Sequence, residues 1–280
     1  MRATHSSRPR MRILCALLVG ALFALIPQSV YGQGGGPPLI TDDPDTPGPG
    51  YWEINLATIF ERTRSATRLE APLADINYGV GQRIQLKFEI PWLSGGESGH
   101  AIQTAPGNSI VGVKWRFLGG EEQRVAWSTY PQLEFNTGHL AVSNGLVEEG
   151  RQFFLPTEFT TRLGRNEVNG EVGRNFVQNG DDGWSWGISN ESEFGHFELL
   201  GEVHGETIGS LPSNIIVDIG GRLKFTTQLT LLMAAGTGVH GSTDDRTHLR
   251  IYIGLQLNLP GVYILDQRTG VDRPFPSHFR

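Results

Sequence analysis

From Tyr51 onward, apolar and polar side chains alternate with a period of two. Trp52, Ile54, Leu56, Thr58 and Phe60 share one face of an extended segment, and Glu53, Asn55 and Glu61 share the other, because successive strand side chains point to opposite sides. The alternation returns where Ile84, Leu86, Phe88, Ile90 and Trp92 oppose Gln85, Lys87 and Glu89. Val111, Val113, Trp115 and Phe117 oppose Lys114 and Arg116, and Leu249, Ile251, Ile253, Leu255 and Leu257 oppose Arg250, Gln256 and Asn258. With the weaker segments added, the pattern predicts twelve strands, near 51–62, 67–78, 84–92, 109–117, 125–136, 151–163, 166–177, 184–194, 197–206, 214–224, 229–239 and 248–259. Most are about nine to thirteen residues long, the length of a strand tilted across a bilayer. Strands of soluble proteins average about five or six. The expected fold class is all-β, a closed antiparallel transmembrane β-barrel of about 12 strands, because lipid leaves no free sheet edge satisfied.

The connections and the tryptophans agree with this. With the N-terminus in the periplasm, the two longest connections, Leu93 to Gly107 and Thr137 to Gly150, fall outside, and bacterial barrels keep their long loops there. Trp52, Trp115 and Trp127 lie near the periplasmic strand ends and Trp92, Trp184 and Trp186 near the external ends. Two aromatic belts suit two membrane interfaces.

The opposite face is heavily charged. The residues expected to line the lumen are Glu53, Lys87, Glu89, Lys114, Arg116, Glu134, Glu158, Arg162, Glu171, Glu202, Asp218, Arg222 and Arg250, with Glu61, Glu167, Glu191, Glu193, Glu198 and Lys224 on the same face. That set holds 12 acidic and 7 basic residues. A dry core does not hold so many charges unless they are paired or hydrated, so the interior is wet or filled by an ion-pair network. Arg174 and Asn190 fall on the lipid face and call for a bulge, a slip or a place near the interface.

Four arginines (Arg2, Arg8, Arg10 and Arg12) precede the apolar run Ile13 to Pro27. This predicts a cleaved signal peptide over 1–32, the run being short of the roughly twenty residues of a spanning helix. Removing it takes four of 23 basic residues and none of the 29 acidic ones, leaving 19 − 29 = −10. An acidic chain offers no footprint for nucleic acid. The single cysteine, Cys15, lies in the signal, so no disulfide scaffold or thiolate metal site is expected. Residues 33–50, rich in Gly, Pro and Asp, read as a linker or plug-like arm, 51–259 as the barrel and 260–280 as a C-terminal tail. The Thr41-Asp42-Asp43-Pro44-Asp45 turn either stays in the periplasm or enters the lumen to pair with Arg116 or Arg222.

The run Gly36-Pro37-Pro38-Leu39-Ile40-Thr41-Asp42-Asp43-Pro44, followed by Gly50-Tyr51-Trp52-Glu53, resembles the mature N-terminus of the outer-membrane family named after the meta-cleavage pathway of phenol degradation. Tyr78-Gly79-Val80 through Leu86, and Gly112-Val113-Lys114-Trp115-Arg116-Phe117, look like strands of that family. The resemblance implies a transporter-like barrel in the cell outer membrane and passage of small, often apolar compounds. It supplies neither a substrate nor a binding residue.

Other chemistry is thinly represented. His139 and Ser143, four apart in an external loop, stand about 13 Å apart if extended, too far for a nucleophile and its base. His196 and His204 face inward eight apart, and His240 and His248 bracket Asp244-Asp245 in the last loop, a weak candidate for a cation. The chain contains no G-x-S-x-G elbow and no phosphate-cradling loop. No enzyme activity and no cofactor are expected. The expected partners are outer-membrane lipid and a small-molecule solute, the number of copies staying open. The leading expectation is a channel-like or transporter-like outer-membrane barrel. A closed structural or adhesive barrel and a secreted soluble β-sandwich stand beside it.

Overall fold

The computed structural model describes residues 36–97, 99–120, 123–242 and 246–260. The signal peptide over 1–32 lies outside the described residues, as do Asp244-Asp245 and the tail beyond Pro260. Fourteen strand segments form one sheet: β1 (Tyr51–Arg62), β2 (Ala66–Val80), β3 (Ile84–Glu97), β4 (Gln103–Pro106), β5 (Ser109–Leu118), β6 (Val125–Thr129), β7 (Gln132–Phe135), β8 (Arg151–Leu163), β9 (Asn166–Val177), β10 (Gly183–Phe194), β11 (Phe197–Ile208), β12 (Asn214–Lys224), β13 (Leu229–His240) and β14 (Leu249–Pro260). β4 and β5 both pair with β3, and β6 and β7 both lie between β5 and β8. Each pair is one crossing strand interrupted midway, so the crossing strands number twelve. β1 pairs with β14 along its whole length, from Tyr51 opposite Pro260 to Arg62 opposite Leu249. The barrel is closed and antiparallel.

Proline accounts for the interruptions. Pro91, Pro106, Pro131 and Pro156 lie at or beside the breaks in the β3–β5 and β6/β7–β8 ladders, and a proline has no N–H to give a neighbouring strand. The remaining ladder groups find other partners: Gly107 donates to the Pro91 carbonyl at 2.8 Å and Tyr130 to the Pro156 carbonyl at 3.3 Å.

The outer face is apolar. Leu86, Phe88, Val113, Phe159, Ile219 and Ile253 all lie exposed on it, a continuous surface that a water-soluble protein does not present. Five of the six tryptophans are exposed there. The sixth, Trp186, lies over Gly205, where a Cβ would overlap its ring. Arg174 also faces outward, near the end of β9, paired with Asp182 at 3.1 Å and 5.2 Å from the Trp184 ring. A cation paired and stacked on an aromatic at a strand end fits a membrane interface. Among the described residues no helix is long and apolar enough to cross a membrane. The open two-layered sandwich is excluded by the closure of β1 on β14.

The Leu93–Gly107 connection differs from the sequence reading. β3 runs on to Glu97 and pairs with β4, Trp92 facing Pro106 and Gly95 facing Gln103. Strand beyond the bilayer needs no apolar face, so Ser94-Gly95-Gly96 shows no alternation to read. The Thr137–Gly150 connection contains a one-turn helix, α1 (His139–Ser143). It folds down over the barrel: Ala141, Leu146 and Val147 pack on Leu93 and Ala105, and Arg68 donates to the Leu146 carbonyl at 3.2 Å.

Candidate functional site

Charged side chains fill the inside of the barrel, and each strand delivers them by the same alternation that puts its apolar residues outside. Lys87 lies between Asp75 at 3.3 Å and Glu89 at 2.7 Å, all three buried. Arg250 is 3.4 Å from Glu61 and 3.5 Å from Asp218. Arg222 pairs with Glu191 at 2.5 Å and Glu198 at 3.5 Å, and Arg162 with Glu167 at 2.5 Å. Glu53 accepts from the Asn55 amide at 3.2 Å and Glu134 from the Asn108 amide at 2.7 Å. Glu158 accepts from the Ser128 hydroxyl and lies 3.6 Å from Lys114. The alternation in β2 is too weak to mark Asp75 as inward from the sequence alone, and the same holds for Glu70, which holds Arg68 at 2.9 Å.

The arm enters this interior beside the β2–β3 turn and bends back inside it. Gly50 donates to the Gly79 carbonyl at 2.8 Å, and the Thr46 hydroxyl to the Gln82 carbonyl at 3.4 Å. Asp45 then pairs with Arg116 at 2.9 Å and with Arg162 at 2.7 Å. Deeper in, Lys114 holds an Asp42 oxygen at 2.9 Å and also donates to the Asp43 carbonyl. At the turn of the arm the backbone N–H groups of Ile40 and Thr41 donate to the two oxygens of Glu202, at 2.7 and 2.8 Å, and that of Asp42 to Glu171 at 3.3 Å. The returning segment ends where Arg222 takes the Pro37 carbonyl at 3.0 Å. Burial raises the Asp42 and Asp45 carboxyls above the usual aspartate range, against the pull of Lys114 on the first and of Arg162 and Arg116 on the second.

The arm also brings an apolar contact into a polar interior. Leu39 is buried against Ala57, Ile59, Leu73, Leu200, Leu232, Ala234 and Tyr252. These residues fall at inward positions of β1, β2, β11, β13 and β14, so part of the inner wall is apolar. The isolated Leu39-Ile40 pair in a segment of Gly, Pro and Asp is the one sequence signal of this contact.

Two glycines make room for the arm. A Cβ at Gly79 would overlap the Gly48 carbonyl, and one at Gly187 would overlap the Thr41 hydroxyl. Gly79→Ala therefore collides with backbone, which has no rotamer by which to yield. Overpacking of this kind costs about 1–3 kcal/mol, and the arm is the part able to move. Limited proteolysis of the purified variant is expected to cut the arm at least several-fold faster than in the unmodified protein; an unchanged rate refutes the placement.

The remaining motifs show no assembled chemistry. The Ser143 hydroxyl donates to the Leu140 carbonyl at 3.0 Å, and both His139 and Ser143 are exposed on α1. Asp182 serves the turn between β9 and β10, accepting from the Val177 N–H at 3.1 Å. His204 is buried with its Nε2 3.3 Å from the Ser185 hydroxyl. Among the described residues no group of His, Cys, Asp and Glu is arranged to hold a metal ion.

No family model matches the chain, and no curated protein matches it. Solved structures do. The COG4313 outer membrane channel from Pseudomonas putida F1 is similar over 81% of this chain and 100% of its own, with a TM-score of 0.66 at 11% identity. The KdgM porin in complex with disordered oligogalacturonate is similar over 72% of this chain and 98% of its own, with a TM-score of 0.51 at 12% identity. The NanC porin covers 74% and 100%, with a TM-score of 0.51 at 8% identity. At these identities the likeness is one of fold, and the fold is that of outer-membrane channels and porins.

Proposed function

We propose that this protein is an outer-membrane channel for a small solute, apolar compounds among those it passes, and that its own N-terminal arm constricts it. The observation that carries this reading is how the interior is filled. The arm is held in the barrel by charged side chains on β5, β8, β9, β11 and β12, through contacts that water or a solute is able to replace. The resemblance of its Gly36–Pro44 run to the meta-pathway outer-membrane family supports a transporter-like role, as does the shared fold with channels and porins. None of the side chains above is proposed to carry catalysis.

The thirteen residues expected along the lumen are proposed to line the path, among them Glu89, Glu171, Glu202 and Asp218. With 12 acidic against 7 basic residues on that face, an open path favours cations. Planar-bilayer recordings of the purified full chain are expected to give a small, cation-preferring conductance. Silent bilayers or an anion preference overturn the proposal.

A closed structural barrel is the second reading. It is favoured by the ion pairs that fill the interior and by Leu146 and Val147 of the Thr137–Gly150 connection, buried against Leu93 and Ala105. Heat-modifiable migration on detergent gels identifies a barrel under both readings. Conductance separates them.

A further inference from the structure

Resting on the channel reading, we infer that the tip of the arm occupies a solute site, and that this site takes a small zwitterion with an apolar side chain, such as a short leucine peptide with free termini. Four consecutive residues, Leu39 to Asp42, make three chemically distinct contacts. The Leu39 side chain fills an apolar recess that includes Ile59, Leu73, Leu200 and Leu232. The next two backbone N–H groups are received by both oxygens of Glu202. The Asp42 carboxylate is received by Lys114 at 2.9 Å. Apolar group, nitrogen donors and carboxylate follow one another as they do in a small peptide.

The wall offers more than the arm uses. Glu202 and Glu171 accept only neutral amides from the arm, and among the described residues neither forms an ion pair. A carboxylate binds a charged donor about twice as strongly as a neutral one, so an ammonium group fits these acceptors better than the arm does. Among the described residues the second oxygen of Glu171, the Ser189 hydroxyl and Nδ1 of His204 have no hydrogen-bond partner, and these residues are exposed by only 5%, 1% and 4%. They stand on β9, β10 and β11 beside the arm: a Cβ at Gly187 would lie 3.2 Å from Nδ1 of His204 while overlapping Thr41. Across the lumen, Lys114 on β5 is the matching cation. With the arm out, a carboxylate pair therefore faces a lysine, and an apolar recess adjoins them. A purely apolar solute would satisfy the recess alone.

A docked arm lowers the apparent affinity of any competitor by the fraction of molecules with the arm out. Isothermal titration of leucyl-glycine into the full-length purified protein reads this directly. Leu39→Ala is expected to bind the dipeptide at least tenfold more tightly than the unmodified protein, and Asp42→Asn, which loosens the arm by a different contact, more tightly as well. Adding Glu202→Gln to either is expected to reverse the gain. An acetylated and amidated dipeptide is expected to bind at least tenfold more weakly than the free one. Equal binding of free and blocked dipeptides overturns the inference, as does absence of binding in both arm variants. The channel reading is scored apart, by conductance. A conductance that rises in the arm variants with no dipeptide binding removes the site and leaves the channel, and dipeptide binding in bilayers that stay silent removes the channel and leaves the site.

Discussion

Lys114→Met is expected to free the arm, raise the conductance and lower the stability of the barrel by about 3–5 kcal/mol, the cost of breaking a buried ion pair by removing one partner. Lys114 is 2% exposed. Its ammonium group lies 2.9 Å from Asp42, 3.6 Å from Glu158 and 4.7 Å from the centre of the Tyr130 ring, and it donates to the Asp43 carbonyl. Removing it leaves two buried carboxylates with no lysine between them. Asp42 has a way out, because it belongs to the arm and reaches water when the arm leaves. Glu158 belongs to β8 and has none, so part of the cost stays with the barrel whatever the arm does. Two measurements follow from this division. Protease should cut the arm of Lys114→Met readily, and its unfolding in lipid vesicles, followed by tryptophan fluorescence in urea, should begin at lower denaturant. Arg174→Ala is the contrast: that pair with Asp182 stands on the outer face, 30% and 39% exposed, where an ion pair contributes less than about 1 kcal/mol. If the lysine variant keeps a protected arm and an unchanged conductance, the arm does not depend on the pair.

What could be read in the sequence divides along the line where lipid stops acting. Within the bilayer every second residue must be apolar, so β1 reads as Trp52, Ile54, Leu56 and Phe60 without knowledge of its neighbours, and its ends fall where the pattern predicts, at 51 and 62. Outside the bilayer that constraint disappears. Ser94 to Glu97 extend β3 with no alternation, and the pairing that makes them strand is made with residues 66–69 of β2 and, for Ser94 and Gly95, also with residues 103 and 104. The inner face was legible as charged but not as a set of pairs, since Arg222 meets Glu191 two strands away, 31 residues earlier, and period-two alternation does not set such pairings. The arm was least legible. Its contacts join Ile40 to Glu202 over 162 residues and Asp42 to Lys114 over 72, and they use backbone N–H and carbonyl groups that every sequence possesses. The apolar recess for Leu39 is spread over five strands, one or two residues on each, which leaves no local pattern to find.

Ile219→Arg, in the middle of β12, tests the surface on which the membrane reading stands. Ile219 is 64% exposed and faces away from the lumen, so neither the arm nor any ion pair is touched by the change. Its neighbours across the ladder are Gly201 and Ala235, too small to shield a guanidinium group. In water this substitution would be nearly neutral, as exposed surface changes usually are. In lipid, arginine at the midplane of a barrel costs about 2–4 kcal/mol, and near the interface about 0–1 kcal/mol. Phe225→Arg supplies the interface case, since Phe225 is 56% exposed in the turn that follows β12. The expected result is a large loss of stability in lipid vesicles for Ile219→Arg and a small one for Phe225→Arg. The depth dependence is the diagnostic part, because loss of packing alone has no reason to follow distance from the bilayer centre. Equal losses at the two positions would mean that the apolar face meets something other than hydrocarbon.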